Sequence, residues 1–443
     1  MTPHEYRIGG LRTFVVEARD PRAVLLLRTP YNSEAHLAEA TGWAERGFTT
    51  VVQDVRGRYG SAGSFRPYCG EGADGLACIE WITARAWWLQ APALFLYGTS
   101  YGAHCATETV FAASEFDSIA GVSVVVPALG LGETARNRDR AFYLESRLGW
   151  WSEHGDAAHS RTSSASPGLL ERLPVSDIGS SSSAPIPSWH SVLAARRSDA
   201  ERAAVVAAQH CPLLAQGGTA DWFTQDTIDL WSSWGGPSAL ALGPWDHCMR
   251  GSNRAGRMNE WLGAVLDGRP WTGAQLYGHP DGPLRLHRWP SDRKAIELPG
   301  GSFLADPLQP FPSHAPGIDV RGLASRSDCL VRPVPWQAGA VVGTPVVRID
   351  GGNSDRHWGA MLVAHRRGGE VEHLTQGMSL GSVVHLAPLS THIHEGEELT
   401  LMISAHAFPR YARDLHTDED HLYGSRAVPM HRTVRGIELE MPS

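Results

Sequence analysis

Ala93-Leu94-Phe95-Leu96-Tyr97-Gly98-Thr99-Ser100-Tyr101-Gly102 decides how the rest of the chain is read. Residues 93–97 are short and apolar, the pattern of a buried parallel strand. Residues 103–113 contain neither glycine nor proline and read as a helix. Between them Gly98-Thr99-Ser100-Tyr101-Gly102 is a G-x-S-x-G pentapeptide, so the context is strand, tight turn, helix. Such a turn lifts a serine hydroxyl off the strand end and leaves little room for Cβ atoms beside it. The following helix aims its first N–H groups and its positive dipole end at an oxyanion formed there. Ser100 is therefore the candidate nucleophile.

A serine needs a general base, and the base needs an orienting acid. With a strand-turn-helix serine the chain order is serine, acid, histidine, both partners on loops after later strands. Cys211–Gln216 is strand-like and breaks at Gly217-Gly218 before Asp221; Ser238–Leu242 is strand-like and breaks at Gly243-Pro244 before His247. Ser100, Asp221 and His247 form the candidate triad. Asp226 and Asp229 follow on a helix-like run and read better as a solvated face. Asp246 is a weaker acid because side chains adjacent in a loop rarely reach carboxylate-to-imidazole geometry. Since the chain has 21 histidines, His247 is singled out by position alone. His104 and His210 read as packing or surface residues.

Further blocks carry a resemblance. They are Arg28-Thr29-Pro30-Tyr31, Asp54-Val55-Arg56-Gly57 with Ser61, Gly63 and Phe65, Gly218-Thr219-Ala220-Asp221-Trp222-Phe223, and Gly243-Pro244-Trp245-Asp246-His247. The last is Ile403–Tyr411 with Arg413, Asp414 and Thr417. Together with the elbow they resemble, in order, the motifs of the family of cocaine esterase, α-amino-acid ester hydrolases, glutaryl acylase and X-prolyl dipeptidyl-peptidases. Thr219 replaces a tryptophan and Asp414 an asparagine of the pattern, and Trp87–Ala93 lacks its glycines. The resemblance implies an α/β-hydrolase core with an inserted helical lid and a C-terminal jelly-roll β-sandwich. It also implies an oxyanion hole made by the Tyr31 hydroxyl and the Tyr101 backbone N–H. Asp54 and Arg56 read as an internal structural pair.

The organisation expected from texture agrees. Strand-like runs at 23–27, 49–53, 93–97 and 121–127 alternate with helical segments, the pattern of a parallel sheet. Residues 1–130 and 208–267 are the expected core. Residues 131–207 are the expected lid, with helices over 134–151 and 198–208 around a Ser/Pro-rich loop at 163–187. This lid is shorter than is usual in the family, which favours an open pocket and a bulky acyl group. Trp150, Trp151, Trp222 and Trp245 are its expected apolar walls. Frequent short strands from about 270 to 443 predict the β-sandwich. His392 and His394 beside Glu395 read as a solvated strand edge rather than a metal site, and no metal or cofactor is expected.

A net charge of −8 with no basic stripe argues against nucleic-acid binding. No apolar run of membrane-spanning length occurs, the first ten residues carry no signal-peptide pattern, and the six cysteines form no C-x-x-C. A cytoplasmic protein with a small-molecule acyl substrate is expected, with a homodimer left open. The expected activity is hydrolysis of an ester or amide through an acyl-enzyme. An acyltransferase using the same triad is the alternative; an X-prolyl aminopeptidase or a non-catalytic glycan-binding protein ranks lower.

Overall fold

The computed structural model describes residues 1–113, 116, 118–351 and 356–442. Its centre is a ten-stranded sheet. The strands are β1 (His4–Ile8), β2 (Leu11–Val16), β3 (Ala23–Thr29), β4 (Phe48–Asp54), β5 (Leu94–Thr99), β6 (Ile119–Val125), β7 (Leu213–Gly218), β8 (Ser238–Gly243), β9 (Gly273–Leu276) and β10 (Leu284–Leu286). Their order is β1-β2-β4-β3-β5-β6-β7-β8-β9-β10. The seven strands from β4 to β9 in that order pair in parallel. The hairpins β1–β2 and β9–β10 close the edges antiparallel. β5 shows why a continuous apolar run suits this place. Leu94 and Leu96 enter the core on one face of the sheet, and Phe95 and Tyr97 enter that on the other.

Helices α1 (Leu37–Ala44), α2 (Glu71–Thr83) and α3 (Tyr101–Ala112) connect the early strands. The inserted segment holds α4 (Leu131–Ala135), α5 (Leu144–Glu153), α6 (Pro167–Leu170), α7 (Ile178–Ser181) and α8 (Trp189–Ala194). The expected single helix over 134–151 is broken: Arg140 has φ 68°, and Arg136 and Phe142 form an isolated β-bridge across the turn. Helix α9 (Asp199–Ala207) contributes Val206 to the core beneath the sheet beside Leu230 and Trp231 of α10 (Thr224–Ser233). It is therefore a crossover helix between β6 and β7 rather than part of the cover. Helix α11 (Arg254–Leu266) packs with α1 on the opposite face, through Met258, Trp261 and Trp43.

The C-terminal part is all β. Strands β11 (Arg293–Ala305), β12 (Cys329–Val334), β13 (Gly339–Gly343), β14 (Val346–Gly351), β15 (Trp358–His365), β16 (Val371–Ser379), β17 (Val383–His385), β18 (Leu389–Ile393), β19 (Glu398–Ser404) and β20 (Met430–Pro442) follow in chain order. They build the sheets β11-β20-β14-β17 and β12-β19-β15-β16, with β13 and β18 as a separate pair. Leu298, Val347 and Leu439 of one sheet meet Leu330, Leu362 and Leu401 of the other in a shared apolar core. Since β9 and β10 belong to the first sheet, the α/β part runs to Leu286, beyond the 267 expected. No helix among the described residues is long and apolar enough to cross a membrane.

Candidate active site

Four parallel strands deliver the site, each at its C-terminal end: Tyr31 follows β3, Ser100 follows β5, Asp221 follows β7 and His247 follows β8. Ser100 has φ 55° and ψ −118°, a strained conformation for a residue with a side chain. Its N–H donates to the Val125 carbonyl at 2.9 Å, and its carbonyl accepts from Ala103, His104 and Ala128. A Cβ on Gly98 would collide with the Gly102 backbone. One on Gly102 would meet only ordinary contacts, so the first glycine is the obligatory one.

The acid and histidine loops brace each other. Thr219 N–H donates to the Gly243 carbonyl at 2.8 Å and Ala220 N–H to the Trp245 carbonyl at 3.1 Å. A side chain at Gly218 would strike that Trp245 carbonyl. The result is a connected relay: Asp221 Oδ1 lies 2.6 Å from His247 Nδ1, and His247 Nε2 lies 3.0 Å from Ser100 Oγ. The other Asp221 oxygen accepts from Phe223 N–H at 3.1 Å, which leaves the carboxylate one orientation. Burial alone would lower the imidazole pKa, and the nearby Arg147 guanidinium pulls the same way. The Asp221 carboxylate outweighs both and holds His247 above its ordinary value. Asp246, by contrast, is exposed and accepts from Cys248 N–H at 3.0 Å.

Two donors face the serine. Tyr101 is the first residue of α3, so its N–H has no acceptor within the helix. Its side chain is fully buried; the hydroxyl donates to Glu71 Oε1 at 3.0 Å and accepts from Tyr68 N–H at 2.7 Å. Glu71 in turn pairs with Arg28 at 3.1 Å, anchoring the elbow from below. Tyr31 lies beside Ser100, and burial pushes its phenol up to about 12 although Trp150 and Ser100 pull it the other way. Trp150 Nε1–H donates to the Tyr31 oxygen at 3.1 Å, which leaves the phenol proton free to point elsewhere. The Trp150 ring stacks on Tyr101 with centroids 5.7 Å apart and planes 4° from parallel. The expectation for Tyr31 came from the resemblance; nothing in the sequence pointed to its Trp150 partner, 119 residues away.

A cavity of about 430 Å³ opens beside Ser100 and His247. Of the four expected tryptophans Trp150 lines it, whereas Trp151, Trp222 and Trp245 do not. Trp151 points into the apolar interior of the inserted segment with Leu148, Ile178 and Trp189. Trp222 lies under the Arg410 guanidinium, 4.1 Å from its ring centroid, and beside Tyr143. Trp245 packs against Arg257 and Tyr277 and holds the histidine loop.

The expectations for Asp54, Arg56 and Asp226 change, whereas His104 packs as expected. Asp54 and Arg56 do not pair. Asp54 takes Arg12 at 2.8 Å and Ser33 N–H at 2.6 Å, while Arg56 pairs with Asp74. Asp226 is not on a solvated face: it is buried against Arg197 at 2.6 Å, and burial raises its carboxyl to about 6. His104 is a core residue held neutral by burial, with a pKa of about 3. His392 and His394 lie with ring centroids 4.8 Å apart beside Arg366 and Glu397.

The chain is similar to several known proteins. Residues 17–249 match the family described as X-Pro dipeptidyl-peptidase (S15 family). The cocaine esterase of Rhodococcus sp. (strain MB1 Bresler) is 29% identical over 161 residues, covering 34% of this chain and 27% of that protein. An aminopeptidase from the marine sediment archaeon Thaumarchaeota archaeon superposes with a TM-score of 0.82 at 16% identity, over 99% of this chain and 96% of the other. An α-amino acid ester hydrolase does so at 0.80 and 17%, over 100% and 96%. These likenesses show the fold: an α/β-hydrolase core joined to a β-sandwich.

Proposed function

The chain belongs to the X-Pro dipeptidyl-peptidase (S15) family, and from that premise we propose that it is a serine hydrolase cleaving an ester or amide acyl bond through an acyl-enzyme on Ser100. The observation that carries the reading is the continuous relay from Asp221 through His247 to Ser100.

In the reaction Ser100 Oγ attacks the acyl carbon as its proton passes to His247 Nε2. The negative charge that develops on the carbonyl oxygen meets the Tyr31 hydroxyl and the Tyr101 N–H. Collapse expels the alcohol or amine, which takes its proton from His247. Water then repeats the sequence in reverse roles, releasing the acid and freeing Ser100. Asp221 keeps the imidazole in the tautomer whose Nε2 can accept, and it stabilises the imidazolium.

Xaa-Pro cleavage ranks below ester or amide hydrolysis in this reading. Among the described residues lining the cavity, the one carboxylate is Glu39, paired with His36 at 3.1 Å. That carboxylate is exposed at the rim, so a substrate ammonium finds no buried carboxylate on the wall.

A fluorophosphonate probe tests the mechanism because it labels an activated serine. Labelling is expected at Ser100. His247 accepts a proton only when neutral, and its pKa is raised, so the labelling rate falls as pH drops through a value above the ordinary imidazole figure of about 6.5. Tyr31 stays protonated throughout, since its pKa is about 12. Labelling at another residue, or at a rate independent of pH, would overturn the proposal.

Tyr31→Phe removes one hydroxyl and almost no volume. If Tyr31 donates to the oxyanion, kcat falls about 10²–10³-fold with KM little changed, because the bond strengthens in the transition state. Steady-state kinetics on an activated ester measures it, and a wild-type kcat would remove Tyr31 from the oxyanion hole.

A further inference from the structure

The cavity beside Ser100 continues along the sheet face that α1 and α11 cover. Alternate residues of a strand share a face. The register sets Leu27 of β3 beside Tyr97 of β5, and Tyr97 beside Ser123 of β6. Two residues further along, Thr99, Val125 and Gln216 form a second row. Trp43 from α1 and Met258 from α11 complete an apolar wall.

Two polar groups break that wall. Tyr97 and Ser123 are 5% and 1% exposed and both line the cavity. Their hydroxyl oxygens are buried without a hydrogen-bond partner among the described residues. The row above is different. Gln216 donates to the Arg254 carbonyl and accepts from Arg257, and Thr99 accepts from Arg254. Buried polar groups are almost always paired, because leaving one unpaired costs free energy. Two unpaired hydroxyls from residues in register on the wall of a ligand-sized cavity mark the place where a ligand's own polar group belongs.

We propose that this cavity is the subsite that selects the substrate. It takes an apolar, ring-sized group ending in a neutral phenol-type hydroxyl, which hydrogen-bonds to Tyr97 and Ser123. The proposal rests on Ser100 as the nucleophile, since the subsite is defined by its reach from that atom. A hydroxyl both donates and accepts, as do the two groups that meet it. Burial holds the Tyr97 phenol well above its ordinary pKa, so it remains a donor at neutral pH. Besides its histidines, the charged residues of the lining are Glu39 and Arg254, and both are exposed at the rim. A carboxylate at the depth of Ser123 would lose its hydration with no cation to replace it.

The test uses matched esters that differ by one para-hydroxyl on a phenyl ring. One pair carries the ring on the acyl side and one on the alcohol side, with a para-carboxylate analogue beside each. In at least one pair the hydroxylated member is expected to have a kcat/KM about tenfold higher, expressed mainly in KM. Tyr97→Phe and Ser123→Ala should each bring that ratio toward one. Both variants should keep or raise Tm, since each deletes a buried hydroxyl that has no protein partner. Ratios of one in both pairs, preference for the carboxylate, or ratios unchanged in both variants would overturn the subsite. Fluorophosphonate labelling of the same preparations separates the two readings. Labelled Ser100 without a hydroxyl preference refutes the subsite alone, and unlabelled Ser100 refutes the acyl-enzyme.

Discussion

Ser100→Ala is expected to lower kcat on the order of 10⁶-fold with the protein still folded. The expected size follows from the geometry. His247 and Asp221 serve the reaction through the Ser100 oxygen, so deleting that atom silences all three groups together. What is expected to survive is binding and the oxyanion contribution proposed for Tyr31 and Tyr101, acting on water as a poor substitute nucleophile. The substitution removes one oxygen, not the glycines that shape the turn, and the strained φ of 55° at this position remains. Tm is therefore expected to hold or to rise slightly, as is common where strain or a polar group serves catalysis rather than stability. Turnover of activated esters, fluorophosphonate labelling and a thermal melt on one preparation check all of this. A variant that keeps its turnover would place the nucleophile elsewhere.

Asp221→Asn is expected to lower kcat about 10⁴-fold, and Asp246→Asn to change it within the few-fold range of an ordinary surface substitution. The first substitution puts an amide where His247 Nδ1 met a carboxylate, and that amide can hold the ring in the tautomer whose Nε2 carries the proton. Such a ring cannot take a proton from Ser100. The loss of the carboxylate also removes the influence that raises the imidazole pKa. The acidic limb of the residual activity therefore moves to lower pH. A purely structural role for Asp221 would not move that limb. Asp246 caps its own turn through Cys248 N–H and adds only a distant charge, so its amide variant leaves the limb nearly in place. A reversal of the two effects would assign the acid to Asp246.

The elbow, the strand ends that carry Asp221 and His247, and the α/β character of the first half were legible because each is encoded locally. An apolar run flanked by glycine specifies a buried strand and the turn beyond it, whatever the rest of the chain does. The register of a parallel sheet then forces loops at strand C-termini onto one edge, so chain order alone brought Ser100, Asp221 and His247 together. The edge hairpins were not legible in the same way. Strands β1 and β10 are short and partly exposed, and they join the sheet only because neighbouring strands offer unpaired edges.

Side-chain partners were settled by tertiary structure. Trp150 and Trp151 are neighbours in sequence and equally apolar. On α5 they face different ways, so one stacks on Tyr101 at the cavity and the other is sealed inside the inserted segment. Asp226 looked like a solvated helix residue until Arg197 packed over it. Tyr97 and Ser123 read simply as members of two apolar strands, and only the pairing of β5 with β6 sets the two residues side by side on one cavity wall. Local sequence determines which backbone conformations are cheap and which faces are apolar. Which far-off side chain fills a given space depends on long-range contacts of the folded chain, and those decided the walls of this cavity.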